Sequence, residues 1–563
     1  MLQNLLGLVE LRLMRPTVRD LRLYLNTVRH LRPVQVVGRL YGEGKRALGL
    51  VRAPDPPARL MPPSSPFAAA PLRHRNGGAI ESVMQGEFSF LGATRDLGWP
   101  IDWRAEDMPL LWQFNLHYAH YLDGLGPEEQ ATLMQSWIAG NPVGQGVGWH
   151  PYPTALRIIN WCGAEPSVLS QPDVAFSLYQ QAGYLWRGME FYHPGNHLIE
   201  NARALVLVGA AFGEQGEAPR WRAHGLSVLR RETPEQVLSD GGYFERSPMY
   251  HVLMTEAYLD VLNTLPPNHS DRPWVEETVK RMVSALQTMC HPDGEVALFN
   301  DAALGVSPPP ATVLDYAARL LGRVPEAAAQ LETTGLYRYE GGSFCLLVDG
   351  GPIGPDHLPA HAHADMFTYE LSVGGLRFVT DTGVSEYAGP HRAYERSTAA
   401  HNTLEVDGTD HAECWGSFRV ARRYPPRSVS AAGGSKEWVF EGSFDGYASL
   451  LGDNLAIKRR VHASPETIEV VDEVSGHGDH EAVSRIHLHP AVSVTEVGPR
   501  RLRLEREGHA VTLDVGEGTL TQTTTYYAER FGVRHPRTTL ALHRKDSPPY
   551  DLRYTFGVST LSD

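Results

Sequence analysis

The spacing of apolar residues changes once along the chain, and this change constrains the fold more than any other sequence feature. From about residue 100 to 330, segments such as ALRIINWC and WVEETVKRMVSALQTM repeat apolar residues at i, i+3 and i+4, which predicts helices. After about Leu336 the period becomes two, in runs such as SFCLLVDG and TYELSVGGLRFVTD. The sequence therefore predicts helices first and strands afterwards.

The connections between these elements indicate how they are arranged. Loops between the predicted helices carry Gly, Pro and Asp, which is typical of paired antiparallel helices. The predicted strands have no helical stretches between them, which excludes βαβ winding and favours an antiparallel sandwich. With 563 residues, two large domains are expected. We predict a helical extension with a Pro-rich linker over 1–75, a helical domain over 76–335 and a β-sandwich over 336–563.

The N-terminal extension has two parts. The basic, Leu-rich stretch from Arg12 to Arg46 predicts an amphipathic helix that packs on the main body, with attachment to a membrane surface as the alternative. The Pro-rich segment 53–71 cannot sustain a helix or a central strand, and we interpret it as a linker. The first 14 residues lead into no small-residue cleavage site, so we expect no secretory signal. A cytoplasmic location and export by another route both remain open.

Charge and composition exclude several classes of protein. The chain has 51 Lys and Arg against 65 Asp and Glu, a formal net charge of −14, whereas a protein that binds nucleic acid over a broad face is more often basic. No run of about 18 apolar residues occurs, so we expect no stable membrane insertion. The four cysteines show no metal-binding or disulfide-framework spacing. Composition does not predict an oligomeric state.

Two segments of the helical half carry candidate functional residues. FYHPGNHLIENARAL places Asn196 and His197 after a Pro-Gly break at the start of a helix, where free N–H groups and the helix dipole favour an anionic ligand. A simple helix-capping role for the asparagine is the alternative. SDGGYFERSPMYHVLMTEAYL follows, and spacing alone does not distinguish among its tyrosines, Tyr243, Tyr250 and Tyr258.

The strand half carries a histidine pair and an aspartate. LPAHAHADMF places His361 and His363 two residues apart at the entry to a predicted strand, where both would face the same side. Asp381 follows the return strand, and His401 lies in STAAHNTLEVDG. Two imidazoles and a carboxylate suit zinc or manganese, although surface strands often carry histidines without any metal.

Taken in order, PGNHLIENARAL, DGGYFERSPMYH, HAHADMFTYEL, RFVTDTG and STAAHNTLEVDG resemble the signature segments of the heparinase II/III and oligoalginate lyase group, over roughly residues 100 to 420. The resemblance implies an incomplete (α/α) toroid followed by an antiparallel β-sandwich. It implies a polysaccharide lyase that cleaves a 4-linked, uronic-acid-containing polysaccharide by β-elimination. The implied partner is therefore an anionic polysaccharide, such as a glycosaminoglycan or a bacterial uronide.

The resemblance also assigns roles by position. It implies carboxylate neutralisation by Asn196 and His197, proton transfer by Tyr250 as acid and as base for one uronate, and His361 as base for the epimeric uronate. It implies one structural divalent metal, zinc or manganese, held by His363, Asp381 and His401, and no organic cofactor. The remaining expected substrate contacts are His193, Glu200, Arg246, Arg392 and Arg396.

Two other functions stay open at this point. A glycoside hydrolase on the same toroid would need two opposed carboxylates, for which the candidates are Asp240, Glu245 and Glu200. A non-catalytic polysaccharide-binding partner in exopolysaccharide biosynthesis is the other alternative. The presence of all four Asn, His, Tyr and His residues favours the lyase.

Overall fold

The computed structural model describes residues 18–57, 59–73 and 76–558, and it confirms that a helical half precedes a strand half. Within these residues, helices fill most of the chain up to Leu321. The helices are α1 (Val18–Val28), α2 (Pro33–Ala47), α3 (Ile80–Met84), α4 (Leu110–Tyr118), α5 (Pro127–Gly140), α6 (Pro151–Cys162), α7 (Pro166–Leu169), α8 (Pro172–Gly188), α9 (Asn196–Phe212), α10 (Ala218–Gln236), α11 (Pro248–Thr264), α12 (Arg272–Thr288), α13 (Pro310–Leu321), α14 (Arg392–Glu395) and α15 (Gly446–Leu450).

Helix α9 lies at the centre of the helical toroid. It packs against α6, α8, α10 and α11, and nearly all of its residues are buried. Its sequence, NHLIENARALVLVGAAF, is apolar around most of its circumference, as expected for a helix with neighbours on every side. Gly209 and Gly225 allow α9 and α10 to approach closely, since a Cβ at either would lie within 3.0 Å of backbone on the other helix.

The strands form antiparallel sheets, as the period of two predicted. The strands are β1 (Glu87–Phe90), β2 (Ala93–Asp96), β3 (Leu336–Gly341), β4 (Phe344–Asp349), β5 (Tyr369–Val373), β6 (Leu376–Val379), β7 (Leu404–Val406), β8 (Cys414–Trp415), β9 (Arg419–Val420), β10 (Arg427–Gly434), β11 (Glu437–Phe444), β12 (Ala456–Ala463), β13 (Thr467–Ser475), β14 (His480–His487), β15 (Ser493–Gly498), β16 (Arg501–Arg506), β17 (His509–Val515), β18 (Thr519–Tyr527), β19 (His535–Asp546) and β20 (Tyr550–Val558).

An eight-stranded sheet of order β10-β11-β12-β13-β20-β17-β16-β15 is the largest in the described chain. Four-stranded sheets of order β18-β19-β14-β7 and β3-β4-β5-β6 accompany it, and their inward side chains share one apolar core. The sequence did not predict the small β1-β2 hairpin inside the helical half, nor α14 and α15 inside the strand half. All three are short elements with too few residues to establish a period.

The two halves are in direct contact. Leu358, Val384 and Phe531 of the strand half belong to the core of the toroid. A further apolar cluster joins Met289, just after α12, to Leu347 of β4. Loops of the strand half are therefore held against one end of the toroid, and the candidate site lies at this junction.

The N-terminal extension packs on both halves. The predicted single amphipathic helix is two helices, α1 and α2, separated at Pro33. The Pro-rich segment is extended and held along the toroid, because Ser64 donates its N–H to Ala211 O and Ala68 to Asn263 O. The Pro-rich segment is therefore bound to the toroid by defined hydrogen bonds. No helix in the described ranges has the length and apolarity needed to cross a bilayer, and all four cysteines are free thiols.

Candidate active site at the junction of the two domains

The first predicted segment forms the start of α9, where Asn196 and His197 are the first two residues. Gly195 precedes them with a φ of 112°, and a Cβ there would lie 2.6 Å from Leu358 Cδ2 and 2.8 Å from Glu245 Oε1. Glycine is therefore required both for its conformation and for its size. Asn196 is buried, and its backbone N–H donates to Glu245 Oε1 at 3.4 Å. Helix α9 thus begins at the domain junction.

His197 lies in a stack of three aromatic rings. Its ring centroid is 4.0 Å from that of Tyr152 and 4.3 Å from that of His193. Its Nδ1 lies 3.1 Å from Glu190 Oε2. Burial alone would raise the pKa of Glu190, but the neighbouring His197 outweighs it and lowers this pKa to about 2. The ionised carboxylate therefore fixes the orientation of an imidazole that is still about a quarter exposed (24%).

His361 reaches the helical half from the strand half. Its ring stacks on Tyr250, with the centroids 3.9 Å apart, and its Nε2 lies 3.4 Å from Glu245 Oε2. Burial, together with the hydroxyl of Tyr387 at 3.1 Å, raises the pKa of Tyr250 well above its usual range, so this phenol is neutral. Because Glu245 also accepts from Asn196, the structure brings Asn196, Tyr250 and His361 into one site.

Asp301 connects the two histidines of the HAH segment. Its Oδ2 lies 2.9 Å from His361 Nδ1 and its Oδ1 lies 2.9 Å from His363 Nε2, while the Arg392 guanidinium contacts both oxygens. Burial opposes ionisation of Asp301, but Arg392 and the two imidazoles outweigh it and hold the pKa of the carboxyl well below its usual range. An ionised Asp301 accepts hydrogen bonds, which places the protons on His361 Nδ1 and His363 Nε2.

The two histidines among the predicted metal ligands lie close together, and each has an unpaired ring nitrogen. His363 Nδ1 and His401 Nε2 are buried without a hydrogen-bond partner, and the two ring centroids are 5.3 Å apart. Asp381 accepts from His401 Nδ1, with 2.9 Å to each carboxylate oxygen. Asp365 Oδ2 is a further buried oxygen without a partner. In the described ranges no three His, Cys, Asp or Glu side chains are already arranged as a metal site, but these donors fit one chemically.

The HAH segment differs from its prediction in one respect. His361 and His363 lie in the loop before β5 and not on the strand itself, which begins at Tyr369. The two rings therefore do not share one face of a strand. They approach the two oxygens of Asp301 from different positions, His361 in the candidate site and His363 in the interior.

Four predicted substrate contacts are occupied by internal partners. The Arg246 guanidinium donates to the carbonyls of Thr333 and Thr334, and that of Arg396 donates to Ala362 O. Arg392 is bound to Asp301, as described above. Glu200 pairs with Arg203, which also binds Glu256 and Asp260 in the buried toroid core. These internal partners favour a structural role for the four groups, whose contact with substrate stays a prediction; Arg246 is partly exposed, and the other three side chains are buried. Their partners are distant in sequence and could not be read from local pattern.

His193, the fifth predicted contact, lies within the stack on His197. Burial and the adjacent His197 lower the pKa of His193 to about 3, so its ring is neutral.

Several site residues carry no sequence pattern of their own, namely Tyr152, Glu190, Asp301 and Tyr387. Asp301 follows Asn300, which has a φ of 56°. An Asn-Asp pair after an apolar run is a weak turn signal, and it is the one local feature that could have drawn attention to this position.

Fold and site together define a two-domain protein, a helical toroid followed by an antiparallel β-sandwich, with an Asn, His and Tyr cluster at the junction. The sequence model for the heparinase II/III N-terminus matches residues 166–311, and the model for the heparinase II/III-like C-terminal domain matches residues 323–553. The chain belongs to the heparinase II/III family.

Curated relatives agree with this assignment, and a solved structure agrees with the fold. The heparin-sulfate lyase of Pedobacter heparinus is 26% identical over 374 residues, which cover 57% of this chain and 55% of that protein. The heparin-sulfate lyase of Bacteroides stercoris is 27% identical over 241 residues, 38% of this chain and 36% of that one. The chain spans about half the length of the curated relatives it matches. A solved heparinase III superposes with a TM-score of 0.63 at 16% identity, over 93% of this chain and 91% of that chain.

Proposed function

We propose that this protein is a polysaccharide lyase that cleaves 4-linked uronic-acid-containing polysaccharide by β-elimination and leaves 4,5-unsaturated uronate ends. The observation that carries the proposal is the stacking of His361, from the strand half, on Tyr250, beside the start of α9. Elimination requires a neutralised carboxylate, a base for the C5 proton and an acid for the leaving O4. The junction offers groups for each of these tasks.

Asn196 and His197 are suited to the substrate carboxylate. They open a helix of 17 residues, whose dipole favours negative charge at this end. Donors held in a fixed position stabilise the charge that develops on the carboxylate as the C5 proton leaves. Glu190 holds the His197 ring for this purpose, and Glu245 accepts the N–H that begins the helix.

Tyr250 and His361 are suited to the proton transfers. A phenol that is neutral in the free protein can donate a proton to O4 of the leaving sugar. With Asp301 accepting from its Nδ1, His361 has Nε2 on the side of Glu245 and available to a C5 proton. We assign His361 as the base for one uronate epimer, and Tyr250 as both base and acid when the proton lies on its own side.

The substrate class follows from the family and from chemistry. Heparin-sulfate lyases are among the relatives, and we propose a glycosaminoglycan such as heparan sulfate, chondroitin sulfate or hyaluronan, or a related bacterial uronide. These polymers all present the carboxylate and the 4-linkage that elimination needs. The chain carries a net charge of −14, so its polyanionic substrate must be received by local donors such as His197 and the start of α9.

We also propose one structural divalent metal ion, zinc or manganese, at His363, His401 and Asp381. The buried His363 Nδ1 and His401 Nε2 support it, because an imidazole nitrogen without a hydrogen-bond partner can coordinate a divalent cation. Asp301 orients the His363 ring through its Nε2. When bound, the ion would fasten the loop that carries His361 to the strand domain.

The glycoside hydrolase alternative needs two carboxylates on opposite sides of a sugar. Asp240 is bound to Thr334 through both its oxygens, and Glu200 is bound to Arg203 in the toroid core. Glu245 is 2% exposed and bound to Tyr243. None of the three candidates is free to act on a glycosidic bond, which favours elimination.

The test is to incubate the purified protein with heparan sulfate, chondroitin sulfate, hyaluronan, alginate and bacterial uronides and to follow the ultraviolet absorbance of the unsaturated uronate. Tyr250→Phe should lower the rate of unsaturated uronate formation by about 10²-fold or more. Tyr258→Phe is the matched control on the same helix, because it also loses a buried hydroxyl, one that bonds Thr233, away from the site. New reducing ends without absorbance would establish hydrolysis instead, and binding without either product would establish the non-catalytic role.

A further inference from the structure

Exposed apolar side chains are concentrated in the N-terminal extension. Among the described residues, 18 large hydrophobic residues are exposed, and nine of them lie within residues 21–50. We call these nine the outer face: Leu21, Leu25, Val28, Val34, Val37, Leu40, Tyr41, Leu48 and Leu50. Scattered exposed apolar residues are normal, but so many in 30 residues is a feature that requires an explanation.

The outer face follows helical periodicity. Leu21, Leu25 and Val28 are spaced i, i+4 and i+7 along α1, and Val34, Val37 and Tyr41 are spaced i, i+3 and i+7 along α2. Each set therefore forms one stripe on its helix. Leu25, Val37 and Tyr41 are 63%, 65% and 68% exposed. These stripes are the sides that an amphipathic helix normally buries.

The polar side of α2 is the side that packs on the protein. Arg46 donates to Tyr192 Oη at 2.6 Å, Lys45 donates to Arg187 O, and Gln35 donates to His357 O at 2.9 Å. Helix α1 is held by Trp415, whose indole N–H donates to Thr27 Oγ1 and whose ring meets Tyr24 edge-on. Both helices are thus fixed to the body, and their apolar stripes are turned to the solvent.

The charge of this region is opposite to that of the rest of the chain. Residues 18–52 contain eight Lys and Arg and two Asp and Glu, a net charge of +6, whereas the whole chain carries −14. The remainder therefore carries −20, so the positive charge is local to this region and suits an anionic partner. Apolar stripes flanked by Arg and Lys are the composition of helices that lie in the interface of an anionic bilayer.

We propose that α1 and α2 form a peripheral docking surface for an anionic lipid bilayer. The outer face enters the headgroup region, and basic residues such as Arg22, Arg29 and Arg52, which are exposed, approach the lipid phosphates. Because α2 packs on Tyr192, one residue before His193 of the candidate site, docking holds the site close to the lipid surface. A lyase attached in this way would meet polysaccharide at the membrane.

The test uses the full chain and sedimentation with large unilamellar vesicles, either of phosphatidylcholine alone or mixed with phosphatidylglycerol. The patch variant carries Leu25→Asp, Val37→Asp and Leu40→Asp. The matched control carries Val143→Asp, Val324→Asp and Val497→Asp, which are exposed apolar positions elsewhere with the same change in charge. Circular dichroism and thermal unfolding establish that both variants are folded.

We expect the wild type and the control to sediment with the anionic vesicles, less so at high salt, and the patch variant to bind them at least about tenfold more weakly. Failure of the wild type to bind anionic vesicles would overturn the proposal, as would equal loss in both variants. A wild-type dimer by light scattering that the patch variant makes monomeric, without vesicle binding, would assign the surface to a second copy instead.

Discussion

Replacement of Asp301 by Asn tests the central feature of the site. Asp301 accepts from His361 and His363 and neutralises Arg392, whose side chain is 3% exposed. The variant leaves that guanidinium buried without its counter-charge, and breaking a buried pair costs about 3–5 kcal/mol. An amide has one oxygen and one NH₂ group, so it cannot accept from both imidazoles. The orientation of at least one histidine is therefore lost, and we expect turnover to fall by about 10²–10⁴-fold.

The assays are urea unfolding and the initial rate of unsaturated uronate formation on the best substrate. Adding Arg392→Met removes the unpaired charge and should recover most of the lost stability, but not the rate, because the imidazoles still lack their acceptor. Asp472→Asn is the control, since it breaks another buried pair, with Arg459, outside the candidate site. It should destabilise the fold and leave turnover of the folded protein unchanged. An Asp301→Asn variant with wild-type turnover would refute the role of Asp301 in positioning His361.

Three further predictions concern the neighbours of the site. The pKa of Glu190, about 2, lies below its unfolded value of about 4.3, so the ionised carboxylate stabilises the fold above that pH. This stabilisation, on the order of 3 kcal/mol, is lost as the pH falls towards 2. Glu190→Gln should therefore flatten the acid-unfolding curve in that window, and an unchanged curve would contradict this. His401→Ala should abolish the bound zinc or manganese measured by mass spectrometry and lower the melting temperature, whereas a metal-free wild type would refute the metal proposal. Gly195→Ala should cost about 1–3 kcal/mol in urea unfolding, because its φ and its contacts with Leu358 and Glu245 both exclude a methyl group; a wild-type midpoint would show that the loop adapts.

The fold could be predicted from sequence because its signals are local. The helical period of segments such as ALRIINWC and the alternation in TYELSVGGLRFVTD each depend on residues within one element. The sequence placed the change from helical to strand period near Leu336, and β3 begins at that residue. The elements that were missed, such as the β1-β2 hairpin, have four residues per strand and too little sequence to show a period.

The site was predictable only where a motif carried it. Asn196, Tyr250 and His361 were predicted as site residues from motifs, and the structure brings them together. Asp301 was missed because its partners lie 60 residues or more away in the chain, at His361, His363 and Arg392. Arg246, Arg392 and Arg396 were assigned to substrate because local sequence does not show that a guanidinium already has an internal acceptor.

The division of the site between two domains has a physical consequence for catalysis. The toroid alone supplies Asn196, His197 and Tyr250, and the strand domain supplies His361 through a loop whose position depends on Asp301. Asp301 itself lies between α12 and α13 of the toroid, so the carboxylate that positions His361 belongs to the other half of the molecule. A change in the contact between the domains would therefore separate His361 from Tyr250 before it altered either domain. The position of His361 and the contact between the domains both depend on one carboxylate, and substitutions that loosen the junction should lower turnover without unfolding either half.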